Sequence, residues 1–327
     1  MPRMPIALRA CFGVALCLAA CTAKAEWLAQ TRSMMGTEIR VELWAENAER
    51  GSAAQQAVFD EVHRLDLMMN PMNPDSELSR INREAAQEPV VTTPEIVEVV
   101  QRALYYSDLS GGAFDITFAS AGRLYDYRGH VKPSADALVQ AAEKIDYHHL
   151  RLDPEAGSIA FDQPGMAIDL GGIAKGYAVD RGIAILRAAG ITSAVVAAGG
   201  DSRVLGNLGD RPRVIGIRHP RKDGEYAALI PLQDTAISTS GDYERYFEED
   251  GVRYHHIINP RTGGSAGGVQ SASVIAPHGI DSDAMSTTVF VLGVEKGLAF
   301  INARPGVEAI IVDSEGRLHY SDGLLQE

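Results

Sequence analysis

The segment Ile168-Asp-Leu-Gly-Gly-Ile-Ala-Lys-Gly-Tyr-Ala-Val-Asp180 constrains this chain more than any other. A short apolar run, Met166–Ile168, ends at Asp169. A Gly pair follows, and a helical pattern then runs to Gly190. Such a turn joins an extended segment to a helix and leaves backbone N–H groups at the positive end of the dipole, an arrangement that suits phosphate. Lys175 adds a mobile point charge at the same place. The spacing is not that of a P-loop, and no Ser or Thr follows Lys175, which speaks against an ordinary nucleotide triphosphatase. Taken alone, a Gly-Gly-x-x-Lys-Gly turn is more often a plain strand-to-helix connection than a phosphate site.

The N-terminus reads as an export signal. Arg3 and Arg9 form a positive region, Cys11 to Ala20 is apolar, and Leu18-Ala19-Ala20-Cys21 fits a lipoprotein signal cleaved before Cys21 and lipidated there. The alternative is plain secretion, with cleavage after Ala25. The expected division is a signal over 1–20 and a functional domain over 21–327, anchored by lipid in the inner membrane and facing the periplasm. All three Cys (11, 17 and 21) fall in this region, so the body has no disulfide, no thiolate metal site and no Cys nucleophile. Net charge is −13 for the full chain, and losing Arg3 and Arg9 takes it to about −15. With no Lys/Arg run, nucleic acid is not an expected partner. No second apolar stretch looks long enough to span a bilayer.

The remaining pattern mixes helix and strand. Glu38–Trp44 alternates like a half-buried strand. Asn47 is placed to cap a helix carrying Val58, Val62, Leu65 and Met69 on one stripe. Asn70–Asp75, with two prolines, must be loop. Thr93-Pro94 opens a second helix that Gly111-Gly112 stops, and Ser134 is placed to cap a third. Ser193–Ala198 reads as a buried strand feeding Gly199-Gly200-Asp201, and a further helix is expected from about Asp283 to Leu292. Within it Asp283 and Thr287 are four apart, so their oxygens share a face. A carboxylate and a hydroxyl suit Mg²⁺ or Ca²⁺ better than Zn²⁺. The competing reading makes Asp283 a helix N-cap and Thr287 a hydroxyl bonded to the preceding turn. His255 and His256 alternate on a strand, so only one of them points into a given site.

Eight blocks, taken in order, resemble the ApbE family of FAD:protein FMN transferases. They are Met34–Thr37, Asp75–Asn82, Gly112–Thr117, Asp169–Asp180, Gly199–Asp201, Ser238–Tyr243, His256–Gly263 and Asp283–Gly293. The resemblance implies an α+β, two-lobed fold, with mixed sheets flanked by helices and the cofactor in a central cleft. It implies that FAD is the substrate and that FMN passes to a Thr or Ser hydroxyl of an exported or membrane acceptor protein, releasing AMP. It implies Mg²⁺ held by Asp283, Thr287 and the carbonyl of Gly172, with Lys175 and Asp169 on the cofactor. Met35, Ala113, Phe114, Asp115 and the backbone near Ile257 would border the flavin or adenine ends. His256 is the candidate base for the acceptor hydroxyl, with Asp169 and Asp283 as alternatives. The chain departs from the family at Met72, which stands where an aromatic residue often covers the flavin, and at Ala119-Ser120, where the family is more apolar. Two other activities remain open at this stage: a Mg²⁺-dependent FAD pyrophosphatase, and a flavin-binding lipoprotein without turnover.

Overall fold

The computed structural model describes residues 25–325, so the signal segment and Cys21 lie outside the described residues. The centre is an eight-stranded sheet whose spatial order follows the chain: β1 (Glu26–Met34), β2 (Thr37–Ala45), β3 (Ala194–Ala198), β4 (Asp201–Leu205), β5 (Ala236–Gly241), β6 (Val269–Ala276), β7 (Glu308–Asp313) and β8 (Leu318–Tyr320). Each neighbouring pair is antiparallel. The α+β class expected from the sequence is present, with antiparallel rather than mixed pairing throughout the described residues. Met34 pairs with Thr37, which leaves Met35 (φ 52) and Gly36 (φ 69) as a two-residue turn. Two left-handed residues match the twist of the flanking strands.

The sheet is a meander interrupted by insertions, and these carry the helices. Between β2 and β3 come α1 (Ala48–Met69), α2 (Glu77–Glu84), α3 (Pro94–Ser110), α4 (Ala119–Gly122), α5 (Ala135–Ala142) and α6 (Ala174–Ala188). The same insertion holds a small sheet of Val90–Val91, Ser158–Phe161 and Leu150–Asp153. Asn47 caps α1 by accepting from the Arg50 N–H, and Ser134 caps α5 in the same way from Ala137. The sequence reading had no element at α2, which Ser76 caps by accepting from the Ser79 N–H.

The long helix α7 (Gly279–Asn302) packs against β5 and β6. It begins four residues before the expected Asp283, because the Asp180 carboxylate accepts the N–H groups of Gly279 and Ile280 and so caps it from outside. Its regular path breaks at Gly293 (φ 79, ψ −178), next to the expected end at Leu292. Among the described helices it alone has the length and apolarity of a bilayer span, which the sequence reading passed over. Its buried Asp281, Asp283, Ser282 and Ser286 mark it instead as a core helix with a polar stripe.

One contact fixes where that stripe lies. Helices α6 and α7 cross with their backbones touching at Gly176 and Gly279. A Cβ at Gly176 would stand 2.1 Å from the Gly279 carbonyl oxygen and 2.7 Å from the Asp283 Cβ; one at Gly279 would stand 2.5 Å from the Gly176 oxygen. Only glycine fits either position, and the crossing brings Asp283 onto the first turn of α6.

Candidate active site

The segment from Ile168 to Ile173 forms a turn pinned by side chains from the inserted region. Asn82, from α2, imitates a strand neighbour: its Oδ1 accepts the Ile168 N–H at 2.8 Å and its Nδ2 donates to the Ile168 carbonyl at 2.9 Å. Ser120 is buried and accepts the Ala167 N–H at 3.1 Å, so the hydroxyl at the family departure is satisfied. The expected open cradle of N–H groups is largely taken up. The Gly171 N–H goes to Asp169 Oδ1 (2.6 Å), those of Ile173 and Ala174 to the Leu170 carbonyl, and that of Gly176 to Asp283 Oδ2 (2.9 Å). Asp283 therefore caps α6 across the helix crossing. It is not the N-cap of its own helix, and that competing reading falls.

Lys175 meets Asp201 at 2.7 Å and Asp283 at 3.5 Å. Both carboxylates are buried. Burial opposes the Lys175 charge, but the two aspartates outweigh it and hold its pKa above the ordinary value. The Asp283 pKa is raised, by burial first and by neighbouring Asp201 second; Lys175 and the Gly176 amide pull the other way. Sequence reasoning missed the role of Asp201, although its Gly-Gly-Asp block was noticed; the signal was an acidic residue opening a strand after two glycines.

Thr287 faces the same place from the next turn of α7. A Cβ at Gly172 would lie 3.3 Å from Thr287 Oγ1 and 3.3 Å from Phe114 Cε2, so these three residues converge. A seam of hydroxyls from β5 holds α7 in register: Ser238 with Ser282 at 2.7 Å, Ser240 with Ser286 at 2.8 Å, and Ser240 with Thr287 at 3.2 Å. Among the described residues no three His, Cys, Asp or Glu side chains group as a metal site.

The two histidines separate, but not by alternation along a strand: the strand Val252–His255 ends at His255, and His256 lies in the bend after it. His255 is structural: its Nδ1 accepts the Ile257 N–H at 3.3 Å, so its Nε2–H donates to the Ala266 carbonyl at 2.8 Å, and the ring packs edge-on against Phe290. His256 has a buried Nδ1 with no partner. Burial, then the charges of Arg245, His255 and Lys175, push its pKa down to about 3. It is a neutral imidazole with an unused nitrogen. Asp169 lies in the same field; burial raises its pKa, while the Gly171 amide, Arg245 and Lys175 oppose the rise.

Other expected contacts are less available. Asp115 spends both oxygens locally, accepting from the Thr117 N–H (2.8 Å), the Thr117 hydroxyl (2.6 Å) and the Tyr147 N–H (3.0 Å). It caps the turn Ile116–Phe118 and raises no free group toward a ligand. Ala113 and Phe114 are buried, with Phe114 edge-on to Tyr106. Ile257 donates its N–H to His255 and accepts from the Ala266 N–H, so its main chain is already engaged. Met35 is half-buried, and its N–H donates to Asp66 Oδ2 at 2.9 Å. Asp66 Oδ1 also accepts from Asn70, whose own side chain accepts the Met72 N–H. One carboxylate thus ties the Met35 turn to the Met72 loop. Met72 itself is 86% exposed.

Comparison with known proteins gives matches in sequence and fold over most of the chain. The profile of the ApbE family matches residues 35–311. A FAD:protein FMN transferase of Treponema pallidum (strain Nichols) is 35% identical over 311 residues, covering 89% of this chain and 86% of that protein. One from Klebsiella pneumoniae (strain 342) is 31% identical over 283 residues, covering 85% and 87%. The solved ApbE protein of Thermotoga maritima superposes with a TM-score of 0.85 at 31% identity, over 92% of this chain and 98% of that one. The flavin transferase ApbE of Vibrio cholerae superposes with a TM-score of 0.82 at 28% identity, over 92% and 99%.

Proposed function

The chain belongs to the ApbE family, and from that premise we propose that it is a flavin transferase moving FMN from FAD to a Thr or Ser hydroxyl of an acceptor protein, with release of AMP. The observation that carries this reading is the convergence of Lys175, Asp201, Asp283, Thr287 and Gly172 at one helix crossing, with the unpartnered nitrogen of His256 in the same field. In the reaction the acceptor oxygen bonds to the FMN phosphorus, the bond from that phosphorus to the bridging oxygen breaks, and AMP leaves with the bridging oxygen. Such transfer depends on positioning and charge neutralisation more than on covalent help.

His256 takes the hydroxyl proton on its free Nδ1. It is neutral through the physiological range, and the negative phosphates of bound FAD would raise its low proton affinity toward the working pH that general-base catalysis needs. Lys175 offsets negative charge on the phosphates, and Asp201 keeps it protonated and directed. The donors Asp283, Thr287 and the Gly172 carbonyl are hard oxygens and fit Mg²⁺. Mg²⁺ bound there would supply further charge neutralisation on the pyrophosphate. The chain is read as an exported lipoprotein anchored at Cys21, its acceptor being an exported or membrane protein.

The test incubates the purified protein with FAD, Mg²⁺ and a Thr-containing exported polypeptide, then measures acceptor mass and free AMP. A mass gain of one FMN with matching AMP supports the transferase. AMP and FMN without a modified acceptor would make it a pyrophosphatase, and no AMP would leave only a flavin binder.

A further inference from the structure

Around the candidate site most cations already have counter-ions. Lys175 holds two aspartates, Arg218 pairs with Glu244, Arg221 with Asp242, and Arg253 with Asp242 and Glu248. Arg245, in the middle of that stretch, is different. Among the described residues its guanidinium has neither an ion pair nor a hydrogen bond, while its carbonyl accepts the His256 N–H at 3.1 Å. The main chain of Arg245 is therefore fixed to the candidate base. Its side chain reaches the turn between β1 and β2, where a Cβ at Gly36 would stand 2.8 Å from Nη2. Glycine there serves the left-handed turn and also leaves room for the guanidinium.

We infer that Arg245 is a phosphate-binding residue, gripping the FMN-side phosphate of FAD between the Met35 turn and His256; this rests on the function proposed above. The placement decides which phosphate. The Met35 turn, which Asp66 ties to the loop of Met72, the residue expected over the flavin, adjoins Gly36 on one side of the guanidinium, and His256, the candidate for the reacting end, is tied to the Arg245 main chain. In FAD the group between the flavin and the reacting bond is the FMN phosphate. A guanidinium fork matches two phosphate oxygens at once, which a lysine cannot do. The charge of Arg245 is felt at both Asp169 and His256, which locates it in the same field. Asp169 is not its counter-ion: the two form no ion pair, and Asp169 Oδ1 accepts the Gly171 N–H.

Flavin fluorescence quenching on the intact protein tests this with two ligands that differ only by the phosphate, FMN and riboflavin. Wild-type protein is expected to prefer FMN by roughly tenfold or more, the order of one charge-assisted contact. Arg245→Gln should lose most of that preference and keep its riboflavin affinity. Arg245→Lys should recover part of it, with a steeper salt dependence. Unchanged FMN affinity in Arg245→Gln would overturn the inference, and so would equal loss of both ligands, which would mean that the residue only supports the turn. The transfer assay is read separately. Wild-type protein that makes no covalent FMN removes the proposed function, and the FMN-to-riboflavin ratio still decides on Arg245.

Discussion

Lys175 touches two buried carboxylates at the crossing of α6 and α7, whereas Met72, which the family resemblance would set beside the flavin, stands 86% exposed on a Pro-flanked loop. The first region is built before any ligand arrives. Its lysine is held between two carboxylates, its hydroxyls are paired, and its helices touch backbone to backbone. The second is held at its base by the Asp66 carboxylate and is otherwise open. The contrast follows from chemistry. Charge stabilisation works when dipoles are fixed in advance. A flat ring can be covered by side chains that settle on it after binding.

The contrast is attacked most directly at Gly176. Gly176→Ala forces a methyl against the Gly279 carbonyl and the Asp283 Cβ. Because the nearest obstacle is backbone, the loss should exceed the ~1–3 kcal/mol usual for overpacking. Little soluble protein is expected, and thermal unfolding of what remains should show the deficit. A variant that melts like wild type would mean that the two helices separate easily and that the region is not prebuilt.

Next in size is Lys175→Met. It leaves Asp201 and Asp283 buried together, at a cost of about 3–5 kcal/mol in magnesium-free buffer. Transfer activity should vanish, and added Mg²⁺ should restore part of the stability by taking the place of the lost cation. Denaturant titration with and without Mg²⁺ measures both effects. If Mg²⁺ changes nothing, the metal assignment to Asp283 and Thr287 fails.

His256→Asn should act on rate alone, slowing transfer on the order of a hundredfold or more while FAD affinity stays within a few-fold. Its pH behaviour sharpens the point. The folded pKa lies near 3, below the ordinary 6.5, so the unfolded chain binds a proton here that the folded chain refuses. Stability contributed by this site is therefore complete above 6.5 and falls as pH drops from 6.5 toward 3. Wild type should lose stability relative to His256→Asn over that window. Parallel pH–stability curves would show that the imidazole is not buried as described.

The smallest effect belongs to the open end. Met72→Ala should leave the melting temperature unchanged, because the side chain packs on little. It should weaken FAD binding, and Met72→Tyr should tighten it, by an amount near the ~0.5–1.5 kcal/mol of an aromatic contact. Equal dissociation constants for the three proteins would place position 72 in solvent throughout the cycle.

The same division governed what could be read from the sequence. Local signals were legible: Asn47 and Ser134 as caps, the Pro94 start, and the halt at Gly111. So was the proximity of Asp283 and Thr287 on one helix face, because four-residue spacing is a local property. What escaped was set by partners distant in sequence. Nothing near Gly279 announces that Asp180 will cap α7, or that Asn82 will imitate a strand beside Ile168. The open phosphate cradle was overestimated for the same reason, since its Gly176 N–H is claimed by a carboxylate more than a hundred residues away. That the Asp115 carboxylate is taken up by Thr117 and Tyr147 was likewise invisible, since Tyr147 is distant in sequence.

The order of strands in the central sheet bears on how the chain acquires its site. Strand β2 finds β3 only after everything from residue 46 to 193 has been synthesised and brought to compact size. The entropy of closing so long a segment rises only logarithmically with its length, but the search is slow when contacts are this far apart. The Met35 turn belongs to the first hairpin, Lys175 to the end of the long insertion, and Asp283 to a helix that follows six strands of the sheet. No chain that stops short of α7 holds all three. A refolding experiment should therefore gain flavin binding in its last kinetic phase, after most helical signal has returned. On a ribosome, the nascent chain would emerge without capturing FAD.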